Sequence, residues 1–254
     1  MLPFERLRHL ARYSGDDREL MAEAADCLAH FDDDPVQLVL VCRRLLAHHP
    51  ANGGLWWLCA RVVGAADPAA AARDAMRVVA RDRTADRLAA VLPFPHDDPV
   101  AVLGWPEATG AALAQRPDLD VVVVRPEHPD PGLRGRMRAV DRSIRVVELT
   151  DAMALGASHL LVEVRATSPT TALVPAGVAD LRWGLPEAAL WVVAPVDRIL
   201  PERLFEVARA HVPEEVEVFP LADAARIAGP GGLDSAERFV ARLDCPVAPE
   251  LLRI

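Results

Sequence analysis

Glu163, Arg165, Thr167, Ser168, Thr170 and Thr171 crowd into nine residues at the end of an apolar run, 159–164. A guanidinium grips a phosphate or carboxylate through paired N–H bonds, and hydroxyls both donate and accept. At the carboxyl end of a parallel strand such groups stand on the ligand side of the sheet. The same hydroxyls can instead satisfy backbone groups of a crossover loop and cap the helix that Pro175-Ala176-Gly177 opens. Arg165 keeps its proton far above neutral pH, so it can bind an anion but cannot relay a proton. Glu163 could relay one. By the two-residue period of a strand it shares a face with Arg165, and pairing would lower its pKa and weaken it as a base.

Two further places offer anion chemistry. Gly104-Trp105-Pro106-Glu107-Ala108-Thr109-Gly110 runs from a strand into a helix amino terminus, where free N–H groups attract negative charge. It lacks the spacing of a dinucleotide or P-loop fingerprint, Pro106 removes one donor, and Glu107 already puts a carboxylate in the first turn. Arg125 and Arg198 follow apolar runs at 121–124 and 190–193. Each could hold phosphate, or pair locally: Arg125 with Glu127, Arg198 with Asp197 or Glu202. The pattern predicts weak phosphate binding near Thr109 and Arg125.

Other chemistries find little footing. The 28 basic residues are all arginine, which removes the P-loop lysine, the lysine Schiff base and the lysine general base. The eight histidines fall singly or as His48-His49, neighbours that cannot share one ion on a helix face, so neither a metal nor another cofactor is expected. A net charge of -9 with dispersed arginines argues against nucleic acid. Cys27, Cys42, Cys59 and Cys245 form no CxxC pair and the first residues are charged, which predicts buried, reduced thiols and a cytoplasmic protein. No apolar run reaches the roughly 20 residues of a membrane span.

The elements that must position these residues change character near residue 94. Residues 1–94 read as a helical domain: a short helix with Phe4, Leu7, Leu10 and Ala11, a second with Leu20, Ala24, Cys27 and Leu28 after a cap at Ser14 to Asp17, a helix opened by Asp34-Pro35, an apolar helix at 54–63 containing Trp56-Trp57, and a long helix from Asp67-Pro68 to 92. The tryptophans fit core packing better than stacking on a ligand. From 95 to 254, apolar runs at 100–103, 121–124, 144–149, 160–164, 190–193 and 216–219 alternate with helical stretches. That alternation predicts an α/β, Rossmann-like, doubly wound and mainly parallel sheet. A last helix is expected at 233–243, then an apolar, proline-bearing tail that packs on its own domain or a second subunit.

In this order of elements the chain resembles the regulatory alpha, beta and delta subunits of translation initiation factor 2B and their relatives methylthioribose phosphate isomerase and ribose bisphosphate isomerase. Four stretches carry the likeness: His49-Pro50-Ala51-Asn52-Gly53-Gly54-Leu55-Trp56-Trp57, Arg125-Pro126 with Gly132 following, 160–177, and LWVVAPVDRILP at 190–201. The resemblance implies a helical domain before a Rossmann-like one, a homodimer, and a pocket for a phosphorylated sugar or nucleotide that would include Asn52, Gly104, Thr109, Gly110, Arg125, Arg165, Thr167, Ser168, Thr170 and Arg198. The enzymes' aspartate and cysteine have Arg165 and the Gly104-Trp105-Pro106 turn in their places, and His49 replaces a phosphate-binding arginine. The resemblance therefore implies a non-catalytic regulatory or scaffold protein. The alternative is an aldose phosphate isomerase with a rearranged site, in which Glu163 is the acid–base group.

Overall fold

The computed structural model describes the chain except residues 1, 2, 14, 32, 93–98, 127–132, 139, 141–143, 155 and 240–243. Helices α1 (Pro3–Leu10), α2 (Asp17–Leu28), α3 (Pro35–His48), α4 (Gly53–Val63), α5 (Pro68–Ala80) and α6 (Thr84–Val91) come first. Their starts follow from local chemistry. The carboxylates of Asp16, Asp34 and Asp67 and the carbonyl of Asn52 accept from orphan N–H groups of the first turns of α2, α3, α5 and α4. The long helix expected from 68 to 92 is two helices. The Asp82 carboxylate takes Thr84 N at 3.1 Å, Thr84 Oγ1 at 2.8 Å and Val196 N at 3.1 Å, and this side-chain competition breaks the helical ladder at 81–83.

Among the described residues, ten strands and six α-helices follow: β1 (Val100–Leu103), α7 (Glu107–Ala114), β2 (Val121–Val124), α8 (Leu133–Arg138), β3 (Arg145–Val147), α9 (Leu149–Ala154), β4 (His159–Glu163), β5 (Ala166–Thr167), β6 (Thr171–Pro175), α10 (Val178–Gly184), β7 (Ala189–Val193), α11 (Glu202–Arg209), β8 (Val216–Pro220), β9 (Arg226–Gly229), β10 (Gly232–Asp234) and α12 (Ala236–Phe239). Seven strands form one sheet in the order β10-β9-β7-β4-β1-β2-β3, parallel except for β10. The chain winds outward in both directions from β1 and β4, the doubly wound arrangement expected.

Alternation along β1 assigns each face. Val100 and Val102 pack with Leu88 of α6 and Leu113 of α7, while Ala101 and Leu103 pack with Ala152 of α9 and Leu181 of α10. The run at 216–219 does not join this sheet. As β8 it pairs antiparallel with β6, which also pairs with β5, in a separate three-stranded sheet. The expected helix at 233–243 is also different. Residues 226–234 form the hairpin β9–β10 and the helix is described over Ala236–Phe239, the remainder of that stretch lying outside the described residues.

The helical half closes around Trp56, Trp57 and Leu58, all fully buried. Ala166, Leu173 and Phe205 join that core from the small sheet and α11, and Cys245, Ala248 and Leu251 join it from the tail. Trp56 Nε1 donates to Pro50 O at 2.9 Å, and Arg61 stacks 4.7 Å over Trp57. The pair is therefore core, and all four cysteines are buried free thiols. No helix among the described residues is long and apolar enough to cross a membrane.

Candidate functional site

The sheet reverses its direction of winding between β1 and β4, and the crevice outside the carboxyl ends of such a pair is where doubly wound folds meet ligands. A cleft of about 460 Å³ opens there. It is lined by the Leu103–Glu107 turn, by Glu163 to Arg165, by the start of α2, and by Arg136, His49 and Arg198. A smaller cavity of about 180 Å³ shares Glu107, Glu163 and Arg198 with it. Glycine makes two of these approaches feasible. Gly104 sits at φ +69 with Pro126 packed beside it, and a Cβ on Gly53 would fall 2.4 Å from the Arg165 carbonyl. That carbonyl instead accepts the Gly53 N–H at 2.9 Å, joining the start of α4 to the end of β4.

Glu163 ends β4 and reaches the amino terminus of α7. Its Oε2 accepts Thr109 N at 2.8 Å and Thr109 Oγ1 at 2.9 Å. The anion that this helix start attracts is thus the protein's own carboxylate. Burial pushes the Glu163 carboxyl up to about 7 against the opposing pull of the Thr109 hydrogen bonds and of Arg198. The shared strand face that would pair Glu163 with Arg165 does not form, because the strand ends at Glu163 and the chain turns toward β5, so the two-residue period no longer applies. Glu163 is therefore raised, where pairing would have lowered it. Burial likewise raises Glu107 and Asp197.

Arg165 and Arg198 converge on Asp17, the first residue of α2. Arg165 Nη1 and Arg198 Nη2 each lie 3.3 Å from Asp17 Oδ2, and Asn52 Nδ2 donates to Oδ1 at 3.0 Å. Asn52 Oδ1 in turn accepts Leu55 N at 3.0 Å and Arg198 Nη1 at 3.3 Å. Arg198 Nε stands 3.6 Å from Asp197 Oδ2 and is a buried nitrogen without a hydrogen-bond partner among the described residues. Burial would raise the Asp17 carboxyl, but Arg198 and Arg165 outweigh it and hold Asp17 below its ordinary value. Burial opposes the charge on Arg198, and Asp197 and Asp17 outweigh it and strengthen that charge. At the rim Arg18 pairs with Glu107 at 2.5 Å, Arg136 Nε donates to Trp105 O at 2.7 Å, and His49 Nε2 lies 2.7 Å from Leu10 O.

Of the residues singled out from sequence, Gly104, Glu163, Arg165 and Arg198 line the cleft, and Asn52 stands behind it holding Asp17. Thr109 is fully buried and its donors serve Glu163. Gly110 is there for packing, since a Cβ would meet the Trp105 indole at 2.5 Å. Arg125 is exposed, pairs with Glu148 at 2.9 Å, and is outside the cleft lining, so it and Thr109 build no common site. The hydroxyl run is a tight turn. Ser168 Oγ accepts Thr170 N at 3.3 Å and Thr171 N at 3.1 Å, and Thr167 Oγ1 donates to Ser168 O at 2.9 Å, so the Thr167 and Ser168 hydroxyls serve the backbone, while Thr170 Oγ1 lies 3.3 Å from Thr171 Oγ1. Sequence reasoning missed Asp17 and Arg136. Asp16-Asp17 held a signal: a helix needs one capping carboxylate, Asp16 provides it, and the second is free to reach elsewhere. Among the described residues no three His, Cys, Asp or Glu side chains group to hold a metal ion.

A helical layer set on a Rossmann-like sheet, with its cleft at the point where the winding reverses, defines a recognisable fold. It is the fold of the eIF2B subunits. No protein-family model matches the sequence, and no curated protein matches it. Among solved structures the chain is similar to the translation initiation factor eIF-2B of Pyrococcus horikoshii OT3, with a TM-score of 0.72 and 13% identity, covering 94% of this chain and 98% of that one. It is also similar to eIF2B beta of Chaetomium thermophilum, at TM-score 0.67 and 15% identity over 94% of this chain and 89% of that one. A chain of the tetrameric eIF2B-beta2-delta2 complex of C. thermophilum aligns at TM-score 0.69 and 15% identity, over 94% and 92%.

Proposed function

We propose that the protein is a non-catalytic, cytoplasmic, eIF2B-like regulatory or scaffold protein in translation initiation. In this reading it forms a homodimer and takes a small phosphorylated sugar or nucleotide in the cleft. The observation that carries the ligand is the convergence of Arg165 and Arg198 at the carboxyl ends of β4 and β7, beside a cleft large enough for a sugar phosphate. Fold likeness to a subunit of a tetrameric eIF2B complex supports the scaffold role. A thermal-shift panel of phosphorylated sugars and nucleotides, each beside its unphosphorylated counterpart, tests it. Phosphorylated members should raise the melting temperature, and Arg165→Ala should weaken their binding by roughly 1.5–3 kcal/mol, the worth of a charge-assisted hydrogen bond. A panel with no shift would remove the ligand from the proposal.

One observation favours a second reading, an aldose phosphate isomerase with a rearranged site. Glu163 lines the cleft with its carboxyl pushed up to about 7, where a group can both take and return a proton. Incubation with aldose phosphates and detection of the carbonyl carbon's position separates the two. Turnover that disappears in Glu163→Gln would install the enzyme reading in place of the first.

A further inference from the structure

We propose that Asn52, Arg165 and Arg198 form an oxyanion subsite that Asp17 fills from within, so that the phosphate of an incoming ligand binds by displacing Asp17 and loosening the first turn of α2. The inference rests on the reading of the cleft as a site for phosphorylated compounds.

Three donors from three separate elements meet on one carboxylate. Asn52 comes from the start of α4, Arg165 follows β4, and Arg198 follows β7. This is the set a phosphate would want: two guanidiniums and an amide N–H, with Arg198 on the buried side at 10% side-chain exposure and Arg165 on the open side at 45%. Both Arg contacts to Asp17 are long for charge-assisted bonds, at 3.3 Å, and both fall on the same oxygen. A tetrahedral phosphate offers each guanidinium its own oxygen.

Asp17 is also dispensable where it stands. Asp16 caps α2, accepting Arg18 N at 2.9 Å and Glu19 N at 3.2 Å, so the helix start survives when Asp17 leaves, while its first turn loses the tether to Asn52, Arg165 and Arg198 and frays more readily. The Asp17 side chain is 31% exposed and borders the cleft, which gives it a direction in which to swing. Other charges shape the subsite. Asp197 lies 3.6 Å from Arg198, Glu163 and Glu107 also act on that arginine, and Arg18 holds Glu107. With so many carboxylates nearby, an added anion is tolerated only if one of them moves away, and Asp17 is the one held by the proposed donors.

Isothermal titration with inorganic phosphate at fixed ionic strength, on wild type, Asp17→Asn, Asp17→Gly and the double variant Asp17→Asn/Arg165→Ala, tests this. Both single variants should bind phosphate at least ten-fold more tightly than wild type, and the double variant should lose that gain. Hydrogen exchange on the unaltered protein gives a second arm that needs no variant to fold. Saturating phosphate should speed exchange at the amides of residues 18–20. Folded single variants that bind no more tightly, a gain that survives Arg165→Ala, or unchanged exchange under saturating phosphate would each overturn the displacement. If the wild-type protein still responds to phosphorylated sugars or nucleotides in that case, the displacement alone falls. If neither that panel nor any variant responds, the ligand reading falls with it.

Discussion

Burial lifts the Glu163 carboxyl to about 7, and the consequence for stability has a definite sign. The folded-state value of about 7 lies above the ordinary 4.5, so the protonated form is favoured by folding. The stabilisation from Glu163 is fully present below about pH 4.5 and is lost progressively as pH rises to about 7, amounting to about 3 kcal/mol by the usual conversion. Urea denaturation from pH 4.5 to 8 should show this decline in the wild type and a flatter profile in Glu163→Gln. Equal slopes would mean that the carboxyl is not buried as described. Single-residue roles were the least legible part of the sequence. The placement of Gly104, Arg165 and Arg198 at strand ends followed from where apolar runs stop. The partner of each charge did not, because Asp17 lies 148 residues from Arg165 and 181 from Arg198. The hydroxyls of Thr167 and Ser168 stayed open between two readings for a different reason: a turn that satisfies its own backbone uses the same residue types as a binding loop.

Elements read better than residues wherever one physical rule dominated. β1 and β2 are apolar on both faces because helices cover both, and their limits were readable to the residue. β8 was readable as a strand but not as a member of the small sheet, since strand propensity says nothing about which neighbour it joins. β9 and β10 were missed because each is short and glycine-bearing, with weak alternation. Where α4 meets the chain just after β4, Gly53 leaves no room for a Cβ. Gly53→Ala should drive a methyl into the Arg165 carbonyl and the Ala166 side chain and destabilise the protein by roughly 1–3 kcal/mol or more. It should also displace Arg165 and weaken phosphorylated ligands. A denaturation midpoint within error of wild type would contradict that packing.

At the scale of the whole molecule, Trp183 is 84% exposed on α10 and borders the same surface groove as Val218, itself 47% exposed on β8. Large apolar side chains left open together commonly mark an interface. Light scattering should give a dimer at micromolar concentrations, and Trp183→Asp should shift it toward monomer. A monomer mass for the wild type would remove the homodimer from the proposed function. The tail at 244–251 has a different bearing. Cys245, Ala248 and Leu251 complete the core of the helical half, Arg43 donates to the Glu250 carbonyl at 2.6 and 2.8 Å, and Arg61 reaches Asp244 at 3.2 Å. During synthesis these residues leave the ribosome after every helix they cover, so the helical half waits with an open apolar seam until the sheet has been made. A nascent chain arrested before residue 244 should be cut by protease within α3 and α4, and one released beyond 251 should resist.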